Sequence, residues 1–217
     1  MRFFDGVNGR MHYRRWTVRQ PRAVLVLLHG LGQQSADYHR FARAMNRYDI
    51  EVWGLDHAGH GLSEGSLDRR APIEELAANA LGLVELARHE HDGLPLVLLG
   101  HSLGAGTALI AMQSECEAAA AVAAVVLIGT PGQAEELRVP APPVPTLALH
   151  GRDDRRAPID PMRRWSTGKP MVRLLEFADA GHDLLHEPIR REIARTIVDF
   201  VQRETAHARV ARVPVPV

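Results

Sequence analysis

Cysteine is almost absent from this chain: Cys116 stands alone, so no intrachain disulfide can form and a disulfide-stapled scaffold is excluded. Its expected place is a helix interior. Aromatic residues supply only 5% of the sequence, which leaves few rings on which bases or sugars could stack. An excess of one charge is missing too. Lys plus Arg and Asp plus Glu both number 26, with Lys169 the only lysine, so no global field exists to hold a polyanion, and nucleic acid is not an expected partner. Long hydrophobic runs are lacking: the longest, residues 118–128, spans 11 positions where a membrane helix needs about 20, so no transmembrane segment is expected. Residues 1–16 carry Asp5, Asn8 and several arginines where a secretory signal requires an unbroken apolar stretch, which predicts a cytoplasmic protein.

What is present is ordinary globular composition, 46% hydrophobic and 24% charged in 217 residues. A chain of that length buries roughly 70% of the surface its unfolded form exposes, enough for one core without a staple. A single domain over residues 1–217 is the economical reading, with a frayed C-terminal tail at 208–217, where the sequence ends Val213-Pro214-Val215-Pro216-Val217.

Short β-branched or leucine-rich runs at 23–28, 50–55, 96–99, 124–128, 146–149 and 172–177 alternate with segments of helical period at 35–48, 73–88, 103–117 and 188–204. That alternation predicts an α/β fold, a mostly parallel sheet with helices on both faces. Residues 3–7 and 11–18 read as an opening antiparallel hairpin turned at Asn8-Gly9, which brings the sheet to about eight strands. Pro72 sits at a helix start.

The chemistry-bearing motif follows the run 96–99. Gly100-His101-Ser102-Leu103-Gly104 is a GxSxG pattern between an expected strand and an expected helix. In a chain with 18 glycines the pattern alone carries little; its position gives it weight. A serine on such a turn projects its hydroxyl upward only if its flanks are small, and Gly100 and Gly104 satisfy that. The Leu103 N–H then opens the helix, where an unpaired donor and the positive dipole end can meet an oxyanion. After the earlier strand, His29-Gly30-Leu31-Gly32 lets the backbone curl and offers the Leu31 N–H as a second donor.

A hydroxyl needs a base within reach and a carboxylate to orient that base. Two further strand ends offer them: Asp154 in the segment 150–158 and His182 in 178–183, in the chain order Ser102, Asp154, His182. The histidine pairs 57/60, 89/91 and 182/186 do not form a metal motif, since HExxH is absent and Cys116 is solitary, so no metal is expected. Without a GxGxxG after the first long strand or a Walker-type lysine, no cofactor is expected either.

Four motifs in register give the chain a specific likeness. His29 to Ser35, Gly54 to Gly65, Gly100 to Gly104 and Gly181 to Glu187 resemble the α/β-hydrolase superfamily and, within it, the monoacylglycerol lipase and lysophospholipase-like branch. The resemblance implies the α/β-hydrolase fold, Ser102, Asp154 and His182 as a catalytic triad, and Leu31 and Leu103 as oxyanion donors. In the branch's acid pattern a glycine precedes the aspartate by three and a proline follows, so Gly151 and Pro158 favour Asp154, with the adjacent Asp153 as the fallback. Asp56 reads as a brace for the loop 57–61.

The branch usually inserts a long helical cap before the acid strand. Here Pro131 and Pro145 are only 14 positions apart, room for a turn of helix and a strap. A minimal lid leaves little apolar wall for a long acyl chain. The expectation is therefore a serine hydrolase taking small-molecule esters with short or medium acyl chains, monoacylglycerols being one candidate. Thioesterase or acyltransferase activity on the same triad is the runner-up, and a binding protein that kept the fold is the alternative from outside enzymology.

Overall fold

The structure, a computed structural model, describes residues 1–66, 68, 71–136 and 138–210. Eight strands form one sheet: β1 (Arg2–Gly6), β2 (Gly9–Trp16), β3 (Ala23–Leu28), β4 (Ile50–Leu55), β5 (Leu96–His101), β6 (Val122–Ile128), β7 (Thr146–Gly151) and β8 (Val172–Phe177). Their spatial order is β1-β2-β4-β3-β5-β6-β7-β8. From β4 to β8 every neighbouring pair is parallel; β2 runs antiparallel to β4, and β1 to β2. The opening hairpin turns one residue earlier than expected. Gly6 pairs with Gly9 across a Val7-Asn8 loop, and Gly9 ends the turn in a left-handed conformation (φ 100°).

The helices are α1 (His39–Asn46), α2 (Ile73–Glu90), α3 (Leu103–Ala111), α4 (Glu117–Ala120), α5 (Gln133–Glu136), α6 (Ile159–Ser166) and α7 (Arg190–Val210). Strand alternation sorts them into layers. Along β3, Val24, Val26 and Leu28 face a core shared with Leu76, Leu83 and Ala108 of α2 and α3, together with Trp165 of α6. Ala23, Leu25 and Leu27 face the opposite core with Phe41, Met45, Ile193 and Ile197 of α1 and α7. The central strands β3, β4 and β5 are buried along their whole length, which is why, apart from Glu51 and His101, their sequences carry no polar side chain.

Three expected boundaries move, and one helix is new. The helix expected over 35–48 begins as a 3₁₀ turn, Ser35–Tyr38, before α1. That expected over 103–117 stops at Ala111, and Cys116, far from lying in a helix interior, is exposed just ahead of the short α4. Helix α6 was not expected at all: Pro158 at its N-cap and Pro161 in its first turn read as loop signals, although both suit a helix start. At the C-terminus, α7 continues to Val210, into the segment expected to fray, and residues 211–217 of that segment lie outside the described residues.

Between β6 and β7 the connection holds only the single turn α5 and a strap. Trp165 of α6 pins that strap by donating its indole N–H to the Val139 carbonyl (2.7 Å), and Ala134 and Val139 are buried beneath it. The carboxyl ends of β3, β5, β7 and β8 gather at one rim of the sheet.

Candidate active site

At the end of β5 the chain turns sharply into α3, and Ser102 occupies the turn with φ 53° and ψ −113°, a conformation that L-residues rarely adopt. Two close approaches make the turn possible. A Cβ on Gly100 would lie 2.1 Å from the Gly104 carbonyl oxygen, and a Cβ on Gly104 would lie 2.2 Å from the Leu28 carbonyl oxygen, so neither position admits a side chain. The Ser102 N–H is anchored to the Ile128 carbonyl (2.8 Å).

Ser102 Oγ lies 2.9 Å from His182 Nε2, and His182 Nδ1 lies 2.7 Å from Asp154 Oδ2. The carboxylate holds the ring proton on Nδ1, which leaves Nε2 to accept from the serine hydroxyl. Asp154 is fixed at the end of β7: its Oδ1 accepts from the Arg156 N–H (2.9 Å) and the Ala157 N–H (2.8 Å), and His150 Nε2 stands 3.4 Å from its Oδ2. Burial pushes its pKa upward, but hydrogen bonding to His150, His182 and Ala157 outweighs that and holds the carboxyl well below its ordinary range. Asp153 is exposed, and only its backbone N–H is engaged, by the Ala180 carbonyl (3.0 Å). Of the two adjacent aspartates, Asp154 is the one in contact with His182.

Leu31 and Leu103 line the same cavity as Ser102, on opposite sides of it in sequence. Leu31 sits in the tight turn Gly30–Gln33, closed by a bond from the Gln33 N–H to the Gly30 carbonyl (3.1 Å), with Gly32 at φ 76° as such a turn demands. Among the described residues no acceptor engages the N–H of Leu31 or of Leu103.

Several neighbours went unread in the sequence. His101 is buried; its Nε2 donates to the His182 carbonyl (3.0 Å), and its Nδ1 is 2.8 Å from the Tyr38 hydroxyl, which donates to Gln33 Oε1 (2.6 Å). Burial, reinforced by repulsion from His182, pushes its pKa down to about 4. The network ties the Gly30–Gln33 turn to the histidine loop. His60, in the loop after β4, has its Nδ1 donating to the Ala58 carbonyl (3.0 Å) and its Nε2 accepting from the Gly32 N–H (3.2 Å), inside that same turn. The signal was available, since both histidines stand within motifs already singled out. Asp56 behaves as a brace: buried, it accepts from the N–H groups of Ser35 and Leu62 and pairs with His12.

Two cavities meet at Ser102. One, of about 310 Å³, is lined mainly by Leu31, Ala58, Ala71, Ile73, Leu76 and Leu103. The other, of about 220 Å³, has a mixed lining in which the polar side chains of Gln33, His101, Arg156, His182 and Asp183 stand among Leu31, Pro131 and Ala157. Among the described residues no group of three or more His, Cys, Asp or Glu side chains is arranged to hold a metal ion.

An acidic group, an imidazole and a serine on a strained strand-to-helix turn, all at the carboxyl rim of a mostly parallel sheet, are the architecture of the α/β hydrolases. The chain belongs to the hydrolase family described as serine aminopeptidase, S33, which matches residues 19–215. It is 38% identical over 105 residues to a monoacylglycerol lipase of Mycolicibacterium smegmatis, covering 48% of this chain and 38% of that one. With human monoglyceride lipase it shares 34% identity over 90 residues, 42% of this chain and 30% of the relative. The matched stretches thus span 30–38% of these relatives' length. In fold it is similar to Est1E of Butyrivibrio proteoclasticus, solved with ferulic acid bound (TM-score 0.80, 14% identity, 95% of this chain and 100% of that one). It is also similar to XC6422 of Xanthomonas campestris, described as a serine hydrolase without lid (TM-score 0.71, 18% identity, 99% and 95%).

Proposed function

We propose that this chain hydrolyses carboxylic esters of short or medium acyl chains through an acyl-enzyme on Ser102. The observation that carries the proposal is the continuous chain from Ser102 Oγ to His182 Nε2 (2.9 Å) and from His182 Nδ1 to Asp154 Oδ2 (2.7 Å) beside a cavity. In the proposed cycle Ser102 Oγ bonds to the ester carbonyl carbon while its proton passes to His182 Nε2. Asp154 supports the imidazolium, and the N–H groups of Leu31 and Leu103 bind the oxyanion. Collapse breaks the bond to the alcohol oxygen, which takes the proton from His182. Water then gives a proton to His182 as it attacks the acyl carbon, and the acid leaves as Ser102 recovers its proton.

The two cavities suggest how a substrate would lie. The apolar one suits the acyl chain, and at about 310 Å³ it stands at the lower end of the roughly 300–1,000 Å³ common for small-ligand sites. The other, with more polar side chains in its wall, suits the alcohol. Monoacylglycerols combine an apolar acyl group with a small polar alcohol, and the likeness to monoacylglycerol lipases supports them as a candidate class. Thioesters would use the same machinery, as would acyl transfer with an alcohol replacing water.

A panel of p-nitrophenyl esters from acetate to palmitate, run beside acyl thioesters, tests the reading. Turnover should peak among the shorter esters. A strong preference for palmitate would overturn the chain-length inference, faster thioester cleavage would move the assignment to a thioesterase, and no turnover of either series would remove it.

A further inference from the structure

On the face of the sheet opposite α2 and α3, helices α1 and α7 pack side by side and leave a groove of about 540 Å³ between them. Five arginines line it: Arg40, Arg43 and Arg47 from α1, Arg190 and Arg191 from α7. Some guanidinium groups elsewhere are neutralised: Arg15 pairs with Glu51 and Glu90, Arg88 with Glu85, and Arg163 with Asp160 and Glu176. In the groove, among the described residues, Arg40, Arg43, Arg47 and Arg191 have no carboxylate within ion-pair distance. Arg190 bonds only the Glu187 carbonyl (3.3 Å). The nearest acidic neighbour in sequence, Glu192, shares the adjoining hollow with Arg47 and Arg191 but, among the described residues, stands within ion-pair distance of none of the five.

Spacing makes the arrangement costly for the free protein. Arg40 and Arg43 are three apart and Arg43 and Arg47 four apart, so they project from one helical stripe, where like charges repel. Nothing in the fold requires that stripe, since α1 packs through Phe41, Ala42 and Met45. The unneutralised charge is complementary to an anion. Guanidinium groups bind phosphate through paired N–H donors, and their stems rest well on apolar surface. The floor offers such a surface in Phe41, Leu185 and Ala194.

We propose that this groove docks the chain on an anionic phospholipid surface, the arginines engaging headgroup phosphates. A single soluble phosphate does not fit the layout. From Arg40 to Arg47 the stripe extends about 10 Å along the axis, and a second row comes from α7, a spread that matches several headgroups side by side. Nucleic acid fits less well, because the groove offers few rings for stacking: Phe41 is buried and His39 is the other one lining it. The proposal stands independently of the chemistry assigned to Ser102.

The test is co-sedimentation of the full chain with vesicles of phosphatidylcholine alone and of phosphatidylcholine mixed with phosphatidylglycerol. The chain should pellet with the anionic vesicles and not the neutral ones, and salt should release it. Each arginine near such a surface strengthens binding about fivefold, so Arg40→Gln/Arg43→Gln/Arg47→Gln should weaken it roughly a hundredfold. The corresponding triple lysine variant should retain most of the binding, and unchanged thermal melting of both variants establishes that they fold. Equal pelleting with both lipid compositions, or a triple glutamine variant that binds as the parent does, overturns the proposal. Tight binding to single-stranded RNA or soluble polyphosphate without affinity for vesicles overturns the lipid assignment.

Discussion

Gly104 and Gly106 lie two residues apart in α3, and alanine at each should act in opposite directions. Helix propensity alone favours alanine over glycine in a helix interior by about 1 kcal/mol. At Gly106 little opposes it: a Cβ there would meet only the Ile73 Cδ1 at 3.2 Å, the far end of a side chain that can yield. At Gly104 the same Cβ would stand 2.2 Å from the Leu28 carbonyl oxygen, 2.6 Å from its carbon and 2.9 Å from the His29 carbonyl oxygen. All three are backbone of β3 or the residue just beyond it and have no rotamer to change. Overpacking commonly costs about 1–3 kcal/mol, and immovable partners put this case at the upper end, so the clash exceeds the propensity gain and the net loss is about 2 kcal/mol. For a chain of this size that lowers Tm by about 4–8 °C for Gly104→Ala, against a rise of about 2–4 °C for Gly106→Ala. Because relief must part α3 from β3, Gly104→Ala should also slow the reaction of Ser102 with a fluorophosphonate. Thermal melting and labelling rates check both. Equal melting temperatures for the two variants would refute the packing argument.

Other expectations follow from the same geometry. Asp154→Asn should reduce kcat on the order of 10⁴-fold, while Asp153→Asn leaves it within a factor of two or so, because only the first carboxylate touches His182. His60→Leu removes the acceptor for the Gly32 N–H and should lower kcat about ten- to a hundredfold with little change in KM. His60→Gln, which returns an oxygen acceptor, should recover most of the loss, and equal kcat for the two variants would show that the bond is idle. Burial lowers the pKa of His29 from 6.5 to about 4. The unfolded chain therefore takes up a proton below pH 6.5 that the folded chain refuses until about pH 4. Stability is complete above 6.5 and falls as pH drops through that window, by about 2 kcal/mol at pH 5 from this residue. Urea midpoints at pH 7 and pH 5 measure it, and a flat profile would contradict the assignment.

Much of this was legible in the sequence because it depends on local patterns. The runs 23–28 and 50–55 coincide with β3 and β4, which are buried along their length and so mostly apolar, and 172–177 with β8, an edge strand legible from its leucines and Phe177 although Arg173 is exposed. Gly100, Ser102 and Gly104 were recognisable from spacing, because the close approach of β5, α3 and β3 excludes any Cβ. What escaped depends on contacts distant in sequence. His101 touches Tyr38 and the His182 carbonyl, 63 and 81 positions away, and no periodicity announces such bonds. Helix α6 escaped for a local reason: its two prolines resemble loop punctuation, and only the packing of Met162 and Trp165 against the core reveals a helix. The arginine groove escaped because a balanced total charge conceals an uneven distribution.

The account rests on Ser102 as the atom that becomes acylated. Mixing the protein with p-nitrophenyl acetate, quenching in acid within the first turnover and determining the intact mass and the modified peptide measures this directly. The account predicts one acetyl group per chain, on Ser102, preceded by a burst of one p-nitrophenol per chain and absent from Ser102→Ala. Steady hydrolysis by the Ser102→Ala chain, or acetylation at another residue in its place, would contradict it.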